Sequence, residues 1–304
     1  MEQLYRIEKQ AIVFWYGCWT YKIKSVIMKQ CTSNPAKPIL VLVFFLLTSS
    51  LLHAGPPVYE ANSASKTAKN YKAASASVAV RNVTLFREKR VVDAAAAKRA
   101  EMRMIVATAA SIYEDMDLED SGLSRKAFEA AWTGYYKLRK RGLLRKTSIL
   151  SICDFSQSSS NQRMYVIDVR NRRMLYRTYV AHGINSGEEY ATSFSNRMES
   201  CKSSLGFYIT RAVYSGANGL SLRIDGVDRG YNDNAMKRAI VLHGAGYVSQ
   251  RILHKYGVMG TTFGCPAIPT EMTTQIIPVV KNGSCLFIYY PSKKYLSQSS
   301  VLNS

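Results

Sequence analysis

Ala239-Ile-Val-Leu-His243-Gly-Ala-Gly246 and, fourteen residues further on, Gly260-Thr-Thr-Phe-Gly-Cys265-Pro-Ala-Ile268 carry the reading of this chain. The first segment is an apolar β-prone run that ends on a histidine, with glycine next to allow a sharp turn. The second places a cysteine after glycine in a loop. A thiol becomes a nucleophile when a neighbouring base produces thiolate at neutral pH, and a histidine at a strand end facing the loop supplies that base. Glycine before the cysteine lets backbone N–H groups approach a substrate carbonyl and stabilise its oxyanion. The backbone carbonyl of Gly244 is a candidate for orienting the imidazole. Simpler readings stand beside these: a buried or disulfide-paired Cys265, with Cys285 as partner, and a core His243.

Outward from these segments, short β-prone runs fill the second half of the chain: Ile149–Phe155, Met164–Val169, Met174–Ala181, Gly206–Val213, Ser221–Ile224, Ala239–His243 and Cys285–Tyr290. Polar turns at Gln157–Gln162 and Asn171–Arg173 separate the first three. Pro269–Lys281 reads as one helix. Upstream, Val91–Tyr113 is Ala-rich and helix-like. Phe128, Ala131, Tyr135 and Leu138 recur at helical spacing between a capping Ser124 and a terminating Gly142. The expected fold class is α+β, mainly β: a strand-rich domain over 148–292, a helical extension over 86–147, and a tail over 293–304. Residues 55–85, rich in Ala, Ser, Lys and Asn, read as a flexible linker.

The apolar run Ile39–Leu52 follows Lys37-Pro38 and precedes Ala54-Gly-Pro-Pro57, the pattern of a secretory signal. The run is short for a membrane span, which leaves an anchor as the alternative. Counted from Met28 the signal has ordinary length, so Met28 is a candidate start. The expectation is an exported protein of the periplasm or cell envelope with a leader over 1–54. Its net charge is +20, of which residues 1–54 hold six Lys/Arg against two Glu, leaving about +16 on the rest. Such a surface attracts polyanions, and anionic cell-envelope polymers are partners the charge admits. Nucleic-acid-binding motifs are lacking, so nucleic acid is not an expected partner.

After residue 54 the histidines are His182, His243 and His254, and neither C-x-x-C nor H-E-x-x-H occurs. No metal and no cofactor are therefore expected. Cys153, Cys201, Cys265 and Cys285 are too few for a disulfide scaffold in a chain of 304 residues. A pairing of Cys153 with Cys201 is one arrangement the sequence leaves open.

His-Gly followed some twenty residues later by Thr-x-Gly-Cys resembles the YkuD-like L,D-transpeptidase family, in its branch with an aromatic residue and Pro flanking Gly-Cys. Collinear segments extend the resemblance from about Ile149 to Pro291. They include Tyr165–Asp168, Val180–Gly183, Ser193–Asn196, Ser203–Phe207, Gly219–Gly226, Asn232–Ala235 and Arg238–Gly244. The resemblance implies that Cys265 attacks an L-centre to D-centre peptide bond of a peptidoglycan stem tetrapeptide while His243 takes the thiol proton. Gly244 would orient the ring, and N–H groups of Phe263, Gly264 and Cys265 would hold the oxyanion. Thr262 occupies the family's Ser position.

Two departures stand out against the commoner motif: Phe263 replaces a His before Gly-Cys, and Ala267 replaces an Arg after it. Arg238, Arg251 and Lys255 are the candidates to supply that charge, and His182 either lines the cleft or closes a strand turn. Hydrolysis without crosslinking, an L,D-carboxypeptidase, and a non-catalytic wall-binding protein on the same fold are the rival readings. Oligomeric state is not legible.

Overall fold

The computed structural model describes residues 65–304, with side chains at Arg87, Arg90 and from 91 onward. The leader over 1–54, the candidate start at Met28 and the first part of the linker lie outside the described residues. No described helix is long and apolar enough to cross a membrane.

Helix α1 spans Ser65–Asp115. The expected helix at Val91–Tyr113 is its last part, and residues 65–85, read as tether, are helical too. The reason is local: no glycine or proline interrupts Ser65–Asp115, and alanine is abundant. Among the residues of α1 whose side chains are described, Ile105, Ala109, Ile112 and Tyr113 anchor the C-terminal turns, whereas residues 91–100 are exposed all round. Helix α2, Arg125–Lys140, begins where the Ser124 hydroxyl accepts the Ala127 amide at 3.2 Å. It stops at Gly142, whose left-handed φ of 68° lets Leu143 N–H reach the Leu138 carbonyl. Its apolar face packs on the sheet. Gly134 is required there, because a Cβ would sit 2.0 Å from the Phe207 ring.

Eight strands follow: β1 Ile149–Asp154, β2 Met164–Asp168, β3 Arg173–Thr178, β4 Gly206–Gly216, β5 Gly219–Gly226, β6 Val241–Ala245, β7 Ala267–Pro269 and β8 Cys285–Tyr289. They form one sheet in the order β3-β2-β1-β8-β4-β5-β6-β7. Bridges Ala181–Ala267 and Gly183–Thr262 link the chain beyond β3 to the opposite edge, so the sheet nearly closes on itself. The strand-rich α+β expectation holds.

Its details shift in three places. β3 ends at Thr178, short of Ala181. Pro269–Lys281 divides into the end of β7, a 3₁₀ turn at Thr270–Met272 and helix α4, Thr273–Val280. Proline, which donates no backbone hydrogen bond, closes the short strand. Two short helices had no clear sequence signal: α3, Gln250–Tyr256, and α5, Lys293–Gln298.

The segment read as a C-terminal tail is packed rather than loose. Tyr295 and Val301 are buried. Asp228, fully buried, accepts hydrogen bonds from Phe207 N (3.0 Å), Tyr295 Oη (2.9 Å), Ser299 Oγ (2.6 Å) and Val301 N (3.1 Å). One carboxylate thereby ties the last residues to the loop after β5, since a buried charge persists only where donors satisfy it.

Candidate active site

β6 carries His243 to the open end of the sheet, paired with Ser221 of β5 on one side and Ala267 of β7 on the other. The imidazole is buried, and its Nδ1 lies 3.0 Å from the Gly244 carbonyl. A carbonyl only accepts, so Nδ1 carries the hydrogen and Nε2 keeps its lone pair. Burial lowers the His243 pKa, and the hydrogen bond to Gly244 opposes that shift. The ring is therefore held neutral, as a base must be before it takes a proton.

Cys265 precedes β7 and is partly exposed. Its Sγ lies 3.5 Å from the Val241 amide nitrogen and 3.8 Å from the Ala239 carbonyl oxygen. Val241 and His243 are two apart on one strand and so share a face. The sulfur thus meets the backbone at the start of the strand that carries His243, from a segment more than twenty residues away in sequence. Neither the Cys265–Cys285 nor the Cys153–Cys201 disulfide is formed. Cys153 and Cys285 are buried core residues. Burial pushes the Cys153 thiol up to about 12 and raises Cys285 as well.

The loop before Cys265 is pinned by its own side chain and by its neighbours. Thr262 Oγ1 donates to the Cys265 carbonyl at 2.7 Å and accepts the Gly264 amide at 3.0 Å. The Gly264 N–H, expected at the oxyanion, is thus spent on Thr262, because the residue at the serine-like position closes a tight turn. Gly264 has φ 119°, and a Cβ there would lie 2.7 Å from the Lys202 carbonyl oxygen and 3.1 Å from Arg238 Nη2. Phe263 points outward beside the thiol, 49% exposed, whereas the Arg-replacing Ala267 is wholly buried.

Arg238 differs from its expected role as a contact for the substrate carboxylate. Nη1 donates to the Ser195 carbonyl at 2.8 Å and to Ser204 Oγ, and Nη2 donates to Lys202 O at 2.6 Å and Ser200 Oγ at 3.2 Å. Both ends of the fork are engaged by the 195–204 loop, and the guanidinium braces that loop against Gly264. Burial lowers its pKa, while Tyr208, Cys265 and Cys201 raise it. Arg251 and Lys255 are exposed on α3.

His182 is likewise support rather than a cleft residue, being 1% exposed. Arg163 Nη2 lies 2.7 Å from Nδ1, and Nε2 lies 3.0 Å from the Gly187 carbonyl. Arginine only donates, so Nδ1 accepts and Nε2 carries the hydrogen. Burial, then the Arg163 charge, takes the His182 pKa down to about 4. The His182 carbonyl accepts the Thr262 amide at 2.9 Å, which carries this rigidity to the Cys265 loop.

Arg163 itself gave no sequence signal. It is fully buried, donates to Val180 O and Gln157 O, and lies over the Phe155 ring. Ser203 and Ser204 act as loop caps: Ser203 Oγ accepts the Gly183 amide, and Ser204 Oγ donates to Ser195 O. No group of three or more metal-ligating side chains occurs among the described residues.

A strand-borne imidazole, a loop thiol against the backbone of that strand and a glycine turn stand on a nearly closed sheet. The L,D-transpeptidase catalytic domain family matches residues 119–289, more than half of the chain, and the protein belongs to that family. The match begins before α2, which the sequence reading had placed in a separate extension.

Among solved structures, an L,D-transpeptidase from Mycobacterium smegmatis aligns at 11% identity over 47% of this chain and 59% of its own, with TM-score 0.29. L,D-transpeptidase 3 from Mycobacterium tuberculosis, in complex with a faropenem-derived adduct, aligns at 13% identity over 47% and 60%, with TM-score 0.30. An L,D-transpeptidase from Stackebrandtia nassauensis aligns at 10% identity over 55% and 68%, with TM-score 0.28. The chain spans about three fifths of the length of the first two. No curated protein matches it.

Proposed function

We propose that the protein is an exported, cysteine-dependent peptidoglycan L,D-transpeptidase acting on stem tetrapeptides. The observation that carries the reading is the His243 ring, neutral and fixed by Gly244, on the strand whose Val241 amide meets the Cys265 sulfur. In the proposed reaction His243 Nε2 takes the thiol proton and Sγ attacks the carbonyl of the L-centre to D-centre bond. N–H groups of the Phe263–Cys265 turn, other than that of Gly264, meet the oxyanion. Collapse breaks the C–N bond, the leaving amine of the terminal D-residue receives the proton from His243, and a thioester remains on Cys265. An amine from a second stem then attacks the thioester, forms an amide crosslink and restores the thiol. Water in place of that amine makes the reaction a carboxypeptidase.

The reaction as written uses thiol, imidazole and backbone and calls on no metal or organic cofactor. Purified protein incubated with a defined disaccharide-tetrapeptide tests it by product mass: a crosslinked dimer supports transfer, and tripeptide alone would replace it with hydrolysis. Export is tested by N-terminal sequencing of the mature protein, with cleavage after Ala54 expected and retention of residues 30–50 favouring an anchor.

A further inference from the structure

Basic side chains gather around the segment that leads from α2 into β1. Lys137–Lys146 contains six basic residues and no acidic one. Arg139, Arg141 and Arg145 are exposed, and the Arg145 and Lys146 amides both donate to Gly283 O, which sets them beside Lys281. The β2–β3 turn adds exposed Arg170 and Arg173, and Arg170 and Arg139 both act on the Tyr135 phenol.

From the other side α1 joins through the Lys140–Glu101 ion pair and through Lys98, whose charge acts on Lys137. It contributes exposed Arg87, Arg90 and Lys98, which share a helical face with Glu101, whereas Arg99 and Arg103 lie on the far side of the helix. The acidic groups along this course are, in sequence, Glu88 and Asp93, then Glu101, which is paired with Lys140, Asp115, which is paired with Arg172, and Asp168, whose oxygens are bound by the Arg170 and Asn171 amides. Among the described residues Arg139, Arg141, Arg145, Arg170 and Arg173 enter no ion pair.

The cations form a band rather than a disc. From Arg87 to Lys98 the helix alone accounts for roughly 16 Å, before the 137–146 loop and the β2–β3 turn are added. Five of the cations on the loop and turn are arginines, whose planar fork fits phosphate oxygens bidentately. A long track suits an extended polyanion, whereas a bilayer needs cations gathered on one face.

We infer that this band is a second binding site, for an extended phosphate-bearing polyanion of the cell envelope, and that it holds the enzyme on that polymer. The inference rests on the proposed envelope setting but not on the reaction. The test uses the full chain and long-chain inorganic polyphosphate, with orthophosphate and anionic phosphatidylglycerol vesicles as parallel arms. The variant carries R139Q, R141Q, R145Q and R170Q together.

Polyphosphate is expected to bind the unsubstituted protein and to bind the variant at least about tenfold more weakly, with a salt slope shallower by about four. The variant is expected to turn over a soluble muropeptide at the unsubstituted rate, so loss of binding and loss of the proposed reaction are separable. Equal polyphosphate affinity in the two proteins overturns the inference. So does arginine-dependent binding to vesicles without binding to polyphosphate, which would assign the band to a membrane surface.

Discussion

Gly264→Ala isolates the geometry of the Cys265 turn. The residue sits at φ 119°, a region an L side chain adopts only under strain, at a cost of about 1–3 kcal/mol. The new methyl would also lie 2.7 Å from the Lys202 carbonyl oxygen, which Arg238 holds in place at 2.6 Å. Backbone cannot swing aside as a flexible side chain does, so the turn itself must move. A displacement of about 1 Å at reacting groups costs on the order of a hundredfold in rate. Expected, therefore, are a loss of about 2 kcal/mol in urea unfolding and an acylation rate on a stem tetrapeptide down by about a hundredfold. Intact-protein mass spectrometry against time gives the rate. A variant that acylates within twofold of the parent at unchanged stability would refute the claim that this turn is braced by the 195–204 loop.

Two further outcomes follow from buried charges. With His182 held down to about 4 against an ordinary 6.5, the unfolded chain takes up a proton between those values while the folded one does not. Its contribution is complete above about pH 6.5 and is lost as pH falls toward 4, about 3 kcal/mol in all, and buried His243 adds to the loss in the same direction. Denaturant melts of the parent and of His182→Asn across pH 4–7 check this, with a flatter profile expected for the variant. Asp228→Asn places an amide where five N–H and O–H donors converge, so a loss of about 3 kcal/mol and faster proteolysis near Lys293 and Lys294 are expected. Unchanged melting and digestion would contradict the anchoring of the C-terminal segment.

How far the sequence alone reaches depends on whether a signal is local. Strand propensity, the Ser124 cap and the Gly142 stop are local, and the strands and α2 lie close to where they are expected. His243, Gly244 and Cys265 stand out as candidates because a titratable or nucleophilic side chain and a turn-forming glycine coincide in short segments. Arg238 and His182 were noticed as charged or titratable groups, but their roles depend on what folds over them. Their partners, Lys202 O for one and Arg163 for the other, come from distant segments. The same holds for Asp228, which reads as a turn residue until Ser299 and Val301, some seventy positions later, are seen to donate to it. The full length of α1 was missed for the opposite reason, since an alanine-rich stretch without periodicity resembles a linker and a solvated helix equally.

The central claim is that the Cys265 sulfur becomes covalently acylated with His243 as its base. Mass spectrometry of the purified protein after brief exposure to a disaccharide-tetrapeptide tests it most directly, run beside Cys265→Ala and His243→Ala. The account predicts an adduct of disaccharide-tripeptide mass mapping to Cys265 in the parent, none in Cys265→Ala, and formation slowed by about a hundredfold or more in His243→Ala. An adduct that persists in Cys265→Ala, or that maps to another residue, would contradict it.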